Sequence, residues 1–523
     1  MSAYLHLQQW PTPPDKSGLI QSVNQKIRLV WQKNPLYSLS LRGRGTSNLA
    51  IIPTDSWPGS LTEGRQIIEG KFILGSETAL LQHLWYPKHL SQSALAELHS
   101  FEWLRGLRAH GENIARRTAR QLILNWIDRN QDWKTLAWRP DIIGNRLSNW
   151  IGLYDFFCAS ADDSFRAQFF KSLYRQTRHL SRSWMDVPTS AQKLYALHGL
   201  IHVLICLNHE THRLPGLIRH LDKLVRQQIF ADGGHCSRSP ILQLMIMRLL
   251  IDLKALCRQA AISLPESIHE AIQKMAPLVR LFRHTDGGIA CFGPYQKINS
   301  NLVDMALTLS DVRGRPPQNA NEMGYERATA KSGLILFNKV PTLLRSPCNN
   351  IEEGTGIFNF EWSSAKRRII TYADVVLQSD RGLYAQALKS SHGHLQVNNK
   401  THIEGALIEG EYQSHHPTWS FAQARSLYLN NKEYDFRGED IISTHVSGMF
   451  ALRFVFHPDM KVTHHGKKIY IETPDDQRWI FMSNCSDMHI EMLDTSYPAQ
   501  MLLVMGQLTP NKTKRIRWAF RGE

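Results

Sequence analysis

The spacing of apolar residues changes once along this chain, about three-fifths of the way from its start. From about residue 95 to residue 283 they recur every three or four positions, which is the period of helices that bury one face. The segment 241–256 is apolar on nearly all sides, which predicts a helix buried in the interior. Short polar or Gly/Pro-containing breaks predict many antiparallel helices with short connections. We expect a ring of helical hairpins, an α/α toroid, although the periodicity alone also fits a simple bundle.

After about residue 325 apolar and polar residues alternate, which is the period of β-strands. Segments rich in β-branched and aromatic residues follow one another at hairpin spacing with no helical segment between them, which predicts a sandwich of antiparallel sheets. The start of the chain has neither rhythm and is punctuated by Pro and Gly. We therefore predict an irregular arm over residues 1–95, the toroid over 96–325 and the β-sandwich over 326–523.

The net charge of the chain indicates which chemical class of partner it binds. Sixty-one basic residues against 46 acidic ones give a net charge of +15, which favours an anionic polymer, although a generally basic proteome would have the same effect. The sequence has no recognition helix, zinc finger or RNA-binding motif, so we do not expect a nucleic-acid partner. It has no apolar run of about 20 residues and no signal-peptide pattern, so we expect no transmembrane segment and take the cytoplasm as the default compartment.

The cysteines predict neither a disulfide framework nor a cysteine zinc site. They are odd in number and scattered, with no CxxC pair. We expect most of them to be buried thiols, because free cysteine is among the residues most often found in cores. The seven are Cys158, Cys206, Cys236, Cys257, Cys291, Cys348 and Cys485.

The sequence DGGHCSRSP (232–240) gathers four kinds of chemical group just ahead of the apolar segment. The groups are a carboxylate, an imidazole, a hydroxyl and a guanidinium, from Asp232, His235, Ser237 and Arg238. The start of a helix favours negative charge, so this loop fits a site for an anionic group. The alternative is an ordinary capped helix start, in which Asp and Ser only bind backbone N–H groups.

A second loop, FRHTDGG (282–288), resembles the first. Its double glycine is flanked by Arg283, His284 and Asp286. Two glycine-hinged loops with His and Asp at one end of a helical ring would line a common cleft. They fit equally well a pair of hydrogen-bonded turns that fix the junction between the two regions.

Two histidines stand two residues apart in SSHGHL (390–395). On a strand His392 and His394 would face the same side, an arrangement that can bind a metal or position a base. A metal would need a third ligand that the sequence does not fix, so a site without metal and simple solvated histidines remain open. The segment RGED (437–440) indicates a structural ion-pair cluster.

Together these segments resemble the heparinase II/III-like family, and a bacterial branch of it whose substrates are often unassigned. The resemblance runs from about residue 40 to the end. The segments that carry it are DGGHCSRSP (232–240), LFRHTDGGIACFG (281–293), FNFEWSSAKRRIITY (358–372), SSHGHL (390–395), RSLYLNNKEYDFRGED (425–440), LRFVFHPDMKV (452–462) and RWAF (517–520).

This resemblance implies a toroid joined to a β-sandwich and a polysaccharide lyase that acts by β-elimination on a polymer containing uronic acid. In that reaction the sugar carboxylate is neutralised, a base takes the proton from C5, and an acid helps the 4-linked oxygen to leave. Stabilising the developing enolate-like charge should dominate, and a Tyr or His supplies the proton transfers. The family's polymers imply the cell envelope or periplasm, whereas the missing signal peptide implies the cytoplasm.

Several positions of the family's chemistry are altered in this chain. Ala191 and Gln192 stand where the family has Asn-His or His, and Leu242 follows Ser-Pro-Ile where the family has its catalytic Tyr. The residues 352–356 replace the family's HGHAD strand, whereas His392 matches its Ala-His-Asn-Thr histidine. Because only one of the family's metal ligands is kept, we predict no metal, zinc being the ion that the full set would hold.

If the protein is a lyase, its chemistry must come from another set of residues. We assign neutralisation of the carboxylate to Arg238 and proton transfer to His or Tyr, within the catalytic set His235, Arg238, His284, His392 and Tyr384. The assigned substrate-binding residues are Asp232, Ser237, Arg283, Asp286, His394 and Tyr295. The alternative is a catalytically inactive glycan-binding or envelope-assembly protein that kept the fold and the charge but lost the base.

Overall fold

The structure, a computed structural model, describes residues 35–523 apart from 44, 76, 82–83, 132–134, 294–297, 332, 341–357, 379–393, 415–420, 467 and 494–497. The chain divides into two compact units. The helical unit comprises Met1–Ala276 and Asn301–Arg313, and the β unit comprises Pro277–Ser300 and Gly314–Glu523. The domain boundaries given above stay predictions, but the segment Pro277–Ser300 groups with the strands although it follows helical sequence.

Thirteen α-helices lie in the described part of the chain. They are α1 (Pro35–Ser40), α2 (Leu61–Ile68), α3 (Gln92–Ser100), α4 (Leu104–His110), α5 (Asn113–Arg129), α6 (Pro140–Gly152), α7 (Tyr154–Cys158), α8 (Asp163–Ser183), α9 (Ser190–Leu207), α10 (Leu214–Gln228), α11 (Pro240–Gln259), α12 (Glu266–Leu281) and α13 (Ser300–Leu309). A hairpin of β1 (Lys71–Leu74) and β2 (Glu77–Leu80) lies within the predicted irregular arm, as do α1 and α2.

Helix α11 is the buried helix that the sequence predicts. Ser239 caps its first turn by accepting the N–H of Leu242 at 3.2 Å, and Pro240 occupies the first helical position, where a missing N–H is tolerated. Every residue from Pro240 to Ile251 is buried. A helix that is apolar on all sides gains free energy by burying every side, and α11 does so over its first twelve residues.

Helices α6 and α9 approach each other closely because glycine faces glycine. A Cβ added to Gly199 of α9 would lie 2.1 Å from the carbonyl oxygen of Gly144 on α6, so neither position leaves room for a larger residue. Helix α9 begins with a capping box formed by Thr189 and Gln192. The close approach sets one face of α6 against one face of α9, and both faces contribute to the cavity described later.

The β unit is built from sixteen strands in the described part of the chain. They are β3 (Asn319–Ala320), β4 (Tyr325–Ala330), β5 (Gly333–Asn338), β6 (Phe360–Ser364), β7 (Arg367–Gln378), β8 (His394–His402), β9 (Gly405–Gln413), β10 (Phe421–Asn430), β11 (Asp435–Thr444), β12 (Gly448–Phe456), β13 (Lys461–His465), β14 (Lys468–Glu472), β15 (Arg478–Ser483), β16 (Met488–Leu493), β17 (Ala499–Leu508) and β18 (Lys512–Gly522).

These strands form two antiparallel sheets of eight strands each. One has the order β13-β14-β15-β18-β11-β10-β9-β8 and the other the order β16-β17-β12-β7-β6-β5-β4-β3. Strand β10 alternates buried and half-buried residues along its whole length, as the period-two pattern predicts. Aromatic side chains from both sheets fill the core, and Trp362 and Trp479 meet edge to face with centroids 4.8 Å apart. The predicted fold class, helical hairpins followed by an antiparallel β-sandwich, is confirmed.

The cysteines of the described residues are free thiols. Four of the six, Cys158, Cys206, Cys257 and Cys291, are buried, which agrees with the expectation that most of them lie in cores. Cys236 and Cys485 are half-buried. The seventh, Cys348, lies outside the described residues.

Candidate functional site

The first glycine-hinged loop forms a tight turn in the helical unit. A hydrogen bond between its two end residues closes the turn, in which the Phe230 N–H donates to the Gly234 carbonyl at 2.8 Å. Asp232 accepts the N–H of Gly234 at 2.9 Å, which is an Asx turn. Gly233 has φ +89°, and a Cβ there would lie 2.2 Å from the carbonyl oxygen of Lys274. Only glycine fits this position, and we call residues 230–234 the first turn.

The second loop, in the β unit, forms the same backbone turn. The His284 N–H donates to the Gly288 carbonyl at 2.9 Å and the Gly287 N–H to the His284 carbonyl at 3.1 Å. Asp286 accepts the Gly288 N–H at 2.8 Å, and Gly287 has φ +82°. The likeness of the two sequences thus reflects a shared local structure, and we call residues 284–288 the second turn. The two turns belong to different units.

His235, directly after the first turn, lies in a closed network of neutral groups. Its Nδ1 accepts from the Ser237 hydroxyl at 2.7 Å and from the Ser237 backbone N–H at 3.1 Å. Its Nε2 therefore carries the proton and donates to the Gln228 side chain at 3.1 Å. Burial lowers the pKa of His235 to about 3. The imidazole is inaccessible and neutral, and it holds the loop that leads into α11.

Arg238 is the basic residue of this loop that reaches the surface. It has φ +56°, a conformation that turns the chain sharply before the cap residue Ser239. Its side chain is half-buried, with the guanidinium carbon 6.0 Å from the ring centroid of Phe230. A guanidinium beside the start of a 20-residue helix places two sources of positive potential together. This is a suitable position for a carboxylate.

The second turn is tied to a buried glutamate that the sequence did not single out. His284 Nε2 lies 2.8 Å from Oε2 of Glu361 on β6, and His284 Nδ1 lies 3.1 Å from the Ser363 hydroxyl. The other oxygen of Glu361 accepts the backbone N–H groups of Cys291 at 2.7 Å and Phe292 at 2.5 Å. Glu361 thereby fixes the chain on both sides of the second turn.

Arg368 on β7 completes this cluster. Its guanidinium lies 3.5 Å from Glu361 and 3.3 Å from Asp286, and it donates to the Ile289 carbonyl at 3.0 Å. Burial raises the pKa of Glu361 to about 7, although Arg368 and two backbone N–H groups oppose the shift. Burial, followed by the charge of Arg368, lowers the pKa of His284 well below its usual value. We call His284, Asp286, Glu361 and Arg368 the glutamate cluster.

The remaining predicted residues differ in how far they can meet a ligand. Asp232 and Arg283 are half-buried, and Asp286 is exposed. Ser237 is buried and engaged with His235. His394 is exposed at the first position of β8. Tyr295, Tyr384 and His392 lie outside the described residues, so their roles stay predictions.

The metal site considered for the histidine pair stays a prediction, because His392 lies outside the described residues. Within the described ranges no group of three or more His, Cys, Asp or Glu side chains could hold a metal ion. In the RGED segment, Asp440 forms a buried ion pair with Arg425 at 2.6 Å and accepts the indole N–H of Trp518 at 2.9 Å. The prediction of a structural ion-pair cluster is confirmed, with partners from neighbouring strands.

Sequence reasoning missed two sets of residues. Glu361 and Arg368 stand seven residues apart with no local motif, and only tertiary contacts join them to the second turn. His198 and His202 line a cavity in the helical unit. Their spacing of four residues on an apolar helix was a visible signal, because such residues share a helix face.

Comparisons with known proteins agree on one family. The model of the Heparinase II/III N-terminus matches residues 103–304, and the model of the Heparinase II/III-like C-terminal domain matches residues 375–522. Together they span more than half of the chain. The first covers the helices from α4 to the start of α13, and the second covers most of the sandwich.

Solved structures and one curated relative extend this result. The crystal structure of heparinase III shares 13% identity with this chain at a TM-score of 0.60, covering 99% of this chain and 93% of that one. A second heparinase III gene product has a TM-score of 0.52 at 13% identity, covering 100% and 93% of the two chains. FtsZ-localized protein C of Caulobacter vibrioides is 23% identical over 521 residues, 90% of this chain and 89% of that protein. At these identities the solved structures show a shared fold.

One helix of the described residues is long and apolar enough to cross a membrane. It is α9, and 89% of it is buried within the protein. Burial of this kind is typical of a core helix, and α9 packs against α6 in that way.

Proposed function

The chain belongs to the heparinase II/III-like family, and from that membership we propose that it is a polysaccharide lyase that cleaves an anionic, uronic-acid-containing polysaccharide by β-elimination. The single observation that carries the substrate class is Arg238, half-exposed beside the start of α11. A guanidinium and a helix dipole acting together favour a carboxylate over a neutral group. The net charge of +15 attracts the same polymers over a longer range.

In the proposed reaction Arg238 binds the uronate carboxylate and spreads its negative charge. A base then removes the proton at C5, the electron pair forms the C4–C5 double bond, and the C4–O bond breaks. The leaving oxygen takes a proton from an acid. Since the C5 proton is very weakly acidic, stabilisation of the charge on the carboxylate accounts for most of the rate.

We assign the proton transfers to His392, which stands at the position of the family's histidine, and to Tyr384, with Tyr295 as a further phenol that contacts the substrate. The two described histidines of the catalytic set are engaged in other ways. His235 binds Ser237 and Gln228, and His284 binds Glu361. We therefore propose positioning roles for both. Asp232, Arg283, Asp286 and His394 stay proposed substrate contacts.

The test is ultraviolet absorbance during incubation with heparan, alginate, pectate and bacterial exopolysaccharides, because the new double bond absorbs and the substrates do not. We expect a rise with at least one polymer. Arg238→Ala should lower kcat/KM by about 100-fold or more, and His392→Ala should abolish turnover. The exposed Arg117 offers a matched control, and Arg117→Ala should leave turnover unchanged.

The second candidate is a glycan-binding or envelope-assembly protein without catalysis. The observation that favours it is the helix start, where the family's catalytic Tyr is replaced by residues such as Leu242, which is 1% exposed. The relative FtsZ-localized protein C is named for a location and not for a reaction. Tight, Arg238-dependent binding to one polymer without any absorbance change would establish this candidate, and a fluorescent fusion that follows FtsZ would support an assembly role at the envelope.

A further inference from the structure

The helical unit encloses a cavity of about 680 Å³ that the proposed lyase chemistry does not use. Its walls come from Pro53–Ser56, from the second half of α6, from α9 between Tyr195 and His202, and from α11 between Met245 and Gln259. It lies along the helices beyond their first turns, whereas Arg238 and Leu242 stand at the start of α11. The size falls within the range of about 300–1,000 Å³ that is usual for small-molecule sites.

Two histidines of α9 face this cavity with unused hydrogen-bonding capacity. His198 is 4% exposed and His202 is 6% exposed, and their ring centroids lie 4.9 Å apart. Among the residues that the structure describes, neither ring nitrogen of His198 has a hydrogen-bond partner, nor does Nδ1 of His202. Buried polar groups nearly always have a hydrogen-bond partner. Two histidines without such partners on a cavity wall therefore point to a ligand that forms hydrogen bonds with them.

Two ion pairs lie among the charged groups that line the cavity. Arg105 binds Asp55 through Nη2 at 2.5 Å, and Arg248 binds Glu102. Four basic and four acidic side chains line the cavity in all, which leaves it without net charge when the imidazoles are neutral. An anion would have to displace a carboxylate to reach Arg105 or Arg248, which disfavours a charged ligand at these two positions.

Burial keeps both imidazoles neutral. It lowers the pKa of His202 to about 4 and, with the charge of His202 and Arg248, lowers that of His198 well below its usual value. A neutral imidazole carries one N–H donor and one nitrogen acceptor. A hydroxyl group can satisfy both roles, because it donates and accepts. A metal ion is a poorer match, because the described residues contain no group of three or more ligands.

We propose that this cavity is a binding site for an uncharged, hydroxyl-rich small molecule such as a neutral sugar of one or two rings, with the neighbouring imidazoles of His198 and His202 as its principal hydrogen-bond partners. Ser148 and Asn149 on α6 face the same space and supply further polar contacts, while Met245 and Leu249 on α11 supply apolar surface for a sugar ring. The glycine contact between α6 and α9 holds the two polar walls together. This site is separate from the anionic polymer that Arg238 is proposed to bind.

Substitution of His198 allows a test that separates sugar binding from folding. The full chain is titrated calorimetrically with glucose, N-acetylglucosamine, trehalose and cellobiose, and its melting temperature is recorded with each at millimolar concentration. We expect saturable binding of at least one sugar and a rise in melting temperature. His198→Phe replaces an unpaired polar ring by an apolar one of similar size, so it should leave the melting temperature of the free chain unchanged or higher and remove the sugar-induced rise.

A matched control is His220→Phe, since His220 packs against Trp184 outside the cavity. This variant should bind sugar as the natural chain does. His198→Gln, which keeps a donor and an acceptor, should retain binding weakened about tenfold, as expected for an altered hydrogen-bond geometry.

Three results would overturn the proposal. The first is that no sugar of the panel binds, and the second is that glucuronate or zinc binds with greater affinity than every neutral sugar in a His198-dependent manner. The third is that His198→Phe lowers the melting temperature while sugar binding persists, because the histidine would then be a structural residue. Lyase activity on an anionic polymer is measured in parallel and is expected to survive His198→Phe, so failure of either proposal can be told from failure of the other.

Discussion

The two glycine-hinged turns share one backbone and differ in the chemistry around it. In both, an aspartate caps the second glycine and the first glycine has a positive φ. In the first turn the histidine follows the glycines, as His235, and its partners are the neutral Ser237 and Gln228. In the second turn the histidine precedes them, as His284, and its partner is the carboxyl of Glu361.

This difference shows which part of a motif is local. The turn is dictated by five consecutive residues, so both copies fold alike in two unrelated surroundings. The partner of His284 comes from β6, far along the chain, whereas the ring partners of His235 lie two and seven residues away from it. Two similar sequence motifs can therefore form sites with different chemistry, and each turn serves as a control for the other.

The largest expected effect is in the second turn. Glu361→Ala removes the acceptor of His284, of two backbone N–H groups and of Arg368 together. Leaving several buried donors and a buried cation without a partner should lower the free energy of unfolding of the β unit by about 3–5 kcal/mol. Urea denaturation followed by tryptophan fluorescence, with hydrogen exchange of peptides from β6 and β7, measures this loss.

The control for that variant is Glu411→Ala on β9, because Glu411 is exposed. It should change the unfolding free energy by no more than about 0.5 kcal/mol. A loss of less than about 1 kcal/mol for Glu361→Ala would mean that water replaces the carboxyl easily and that the cluster does not fix the second turn.

The two central glycines give the next effect in size. A Cβ on Gly233 meets the Lys274 carbonyl oxygen at 2.2 Å, whereas a Cβ on Gly287 meets nothing closer than 3.3 Å. Gly287→Ala should cost about 1–2 kcal/mol, the strain of a left-handed residue alone. Gly233→Ala should cost about 3–4 kcal/mol, since the clash adds to the strain. Equal losses in the two denaturation curves would show that backbone can shift around Lys274 and that the turns are equivalent.

Much of the fold was predictable from the sequence for reasons that these elements illustrate. The cap residue Ser239, the following Pro240 and an unbroken apolar run predict helix α11. The strict alternation of buried and half-buried residues predicts strand β10. Both signals are local, and both lead directly to burial. The segment Pro277–Ser300 groups with the strands, and the contacts that join it to β6 and β7, such as those of the glutamate cluster, have no periodic signature in the sequence.

The candidate site was predictable only in part. The loops around Asp232 and Asp286 were found because Gly, Asp and His in sequence mark a turn. The burial of His235 was not foreseen, because its partner Gln228 lies before the loop in α10 and has no distinctive pattern. The cavity pair His198 and His202 was hidden for a different reason, since two histidines on an apolar helix look like core residues until their missing partners are seen.

The two turns should also respond to pH in opposite directions. The pKa of Glu361 rises from 4.5 to about 7, so its contribution to stability is complete below pH 4.5 and is lost as the pH rises through 7. The pKa of His235 falls from 6.5 to about 3, so its contribution is complete above pH 6.5 and is lost as the pH falls towards 3. In each window the unfolding free energy should change by at most about 1.4 kcal/mol per pH unit.

Substitutions that do not titrate isolate each contribution. The natural chain should gain stability relative to Glu361→Gln as the pH falls from 7 to 4.5, with Asp286 and Arg368 as the charged neighbours that modulate the gain and His284 as a further titratable neighbour. Relative to His235→Gln it should lose stability as the pH falls from 6.5. Differences of the same sign in the two series would refute the assignment of a lowered pKa to His235 and a raised pKa to Glu361.

The smallest effect comes from the capping aspartates. It tests whether the charge of Asp286 stabilises the glutamate cluster or whether Asp286 acts only as a cap of the turn. Asparagine keeps the side-chain oxygen that caps the turn, so Asp232→Asn should change the unfolding free energy by no more than about 0.5 kcal/mol. Asp286→Asn keeps the cap but loses the ion pair with Arg368, whose side chain is 2% exposed, and should cost about 1 kcal/mol.

Because the charge of Asp286 helps to raise the pKa of Glu361, the same variant should also lower that pKa and shift the pH-dependent transition of the β unit downward. If both variants leave stability and the transition unchanged, Arg368 draws its stabilisation from Glu361 and Ile289 alone, and the aspartates of the two turns are interchangeable caps.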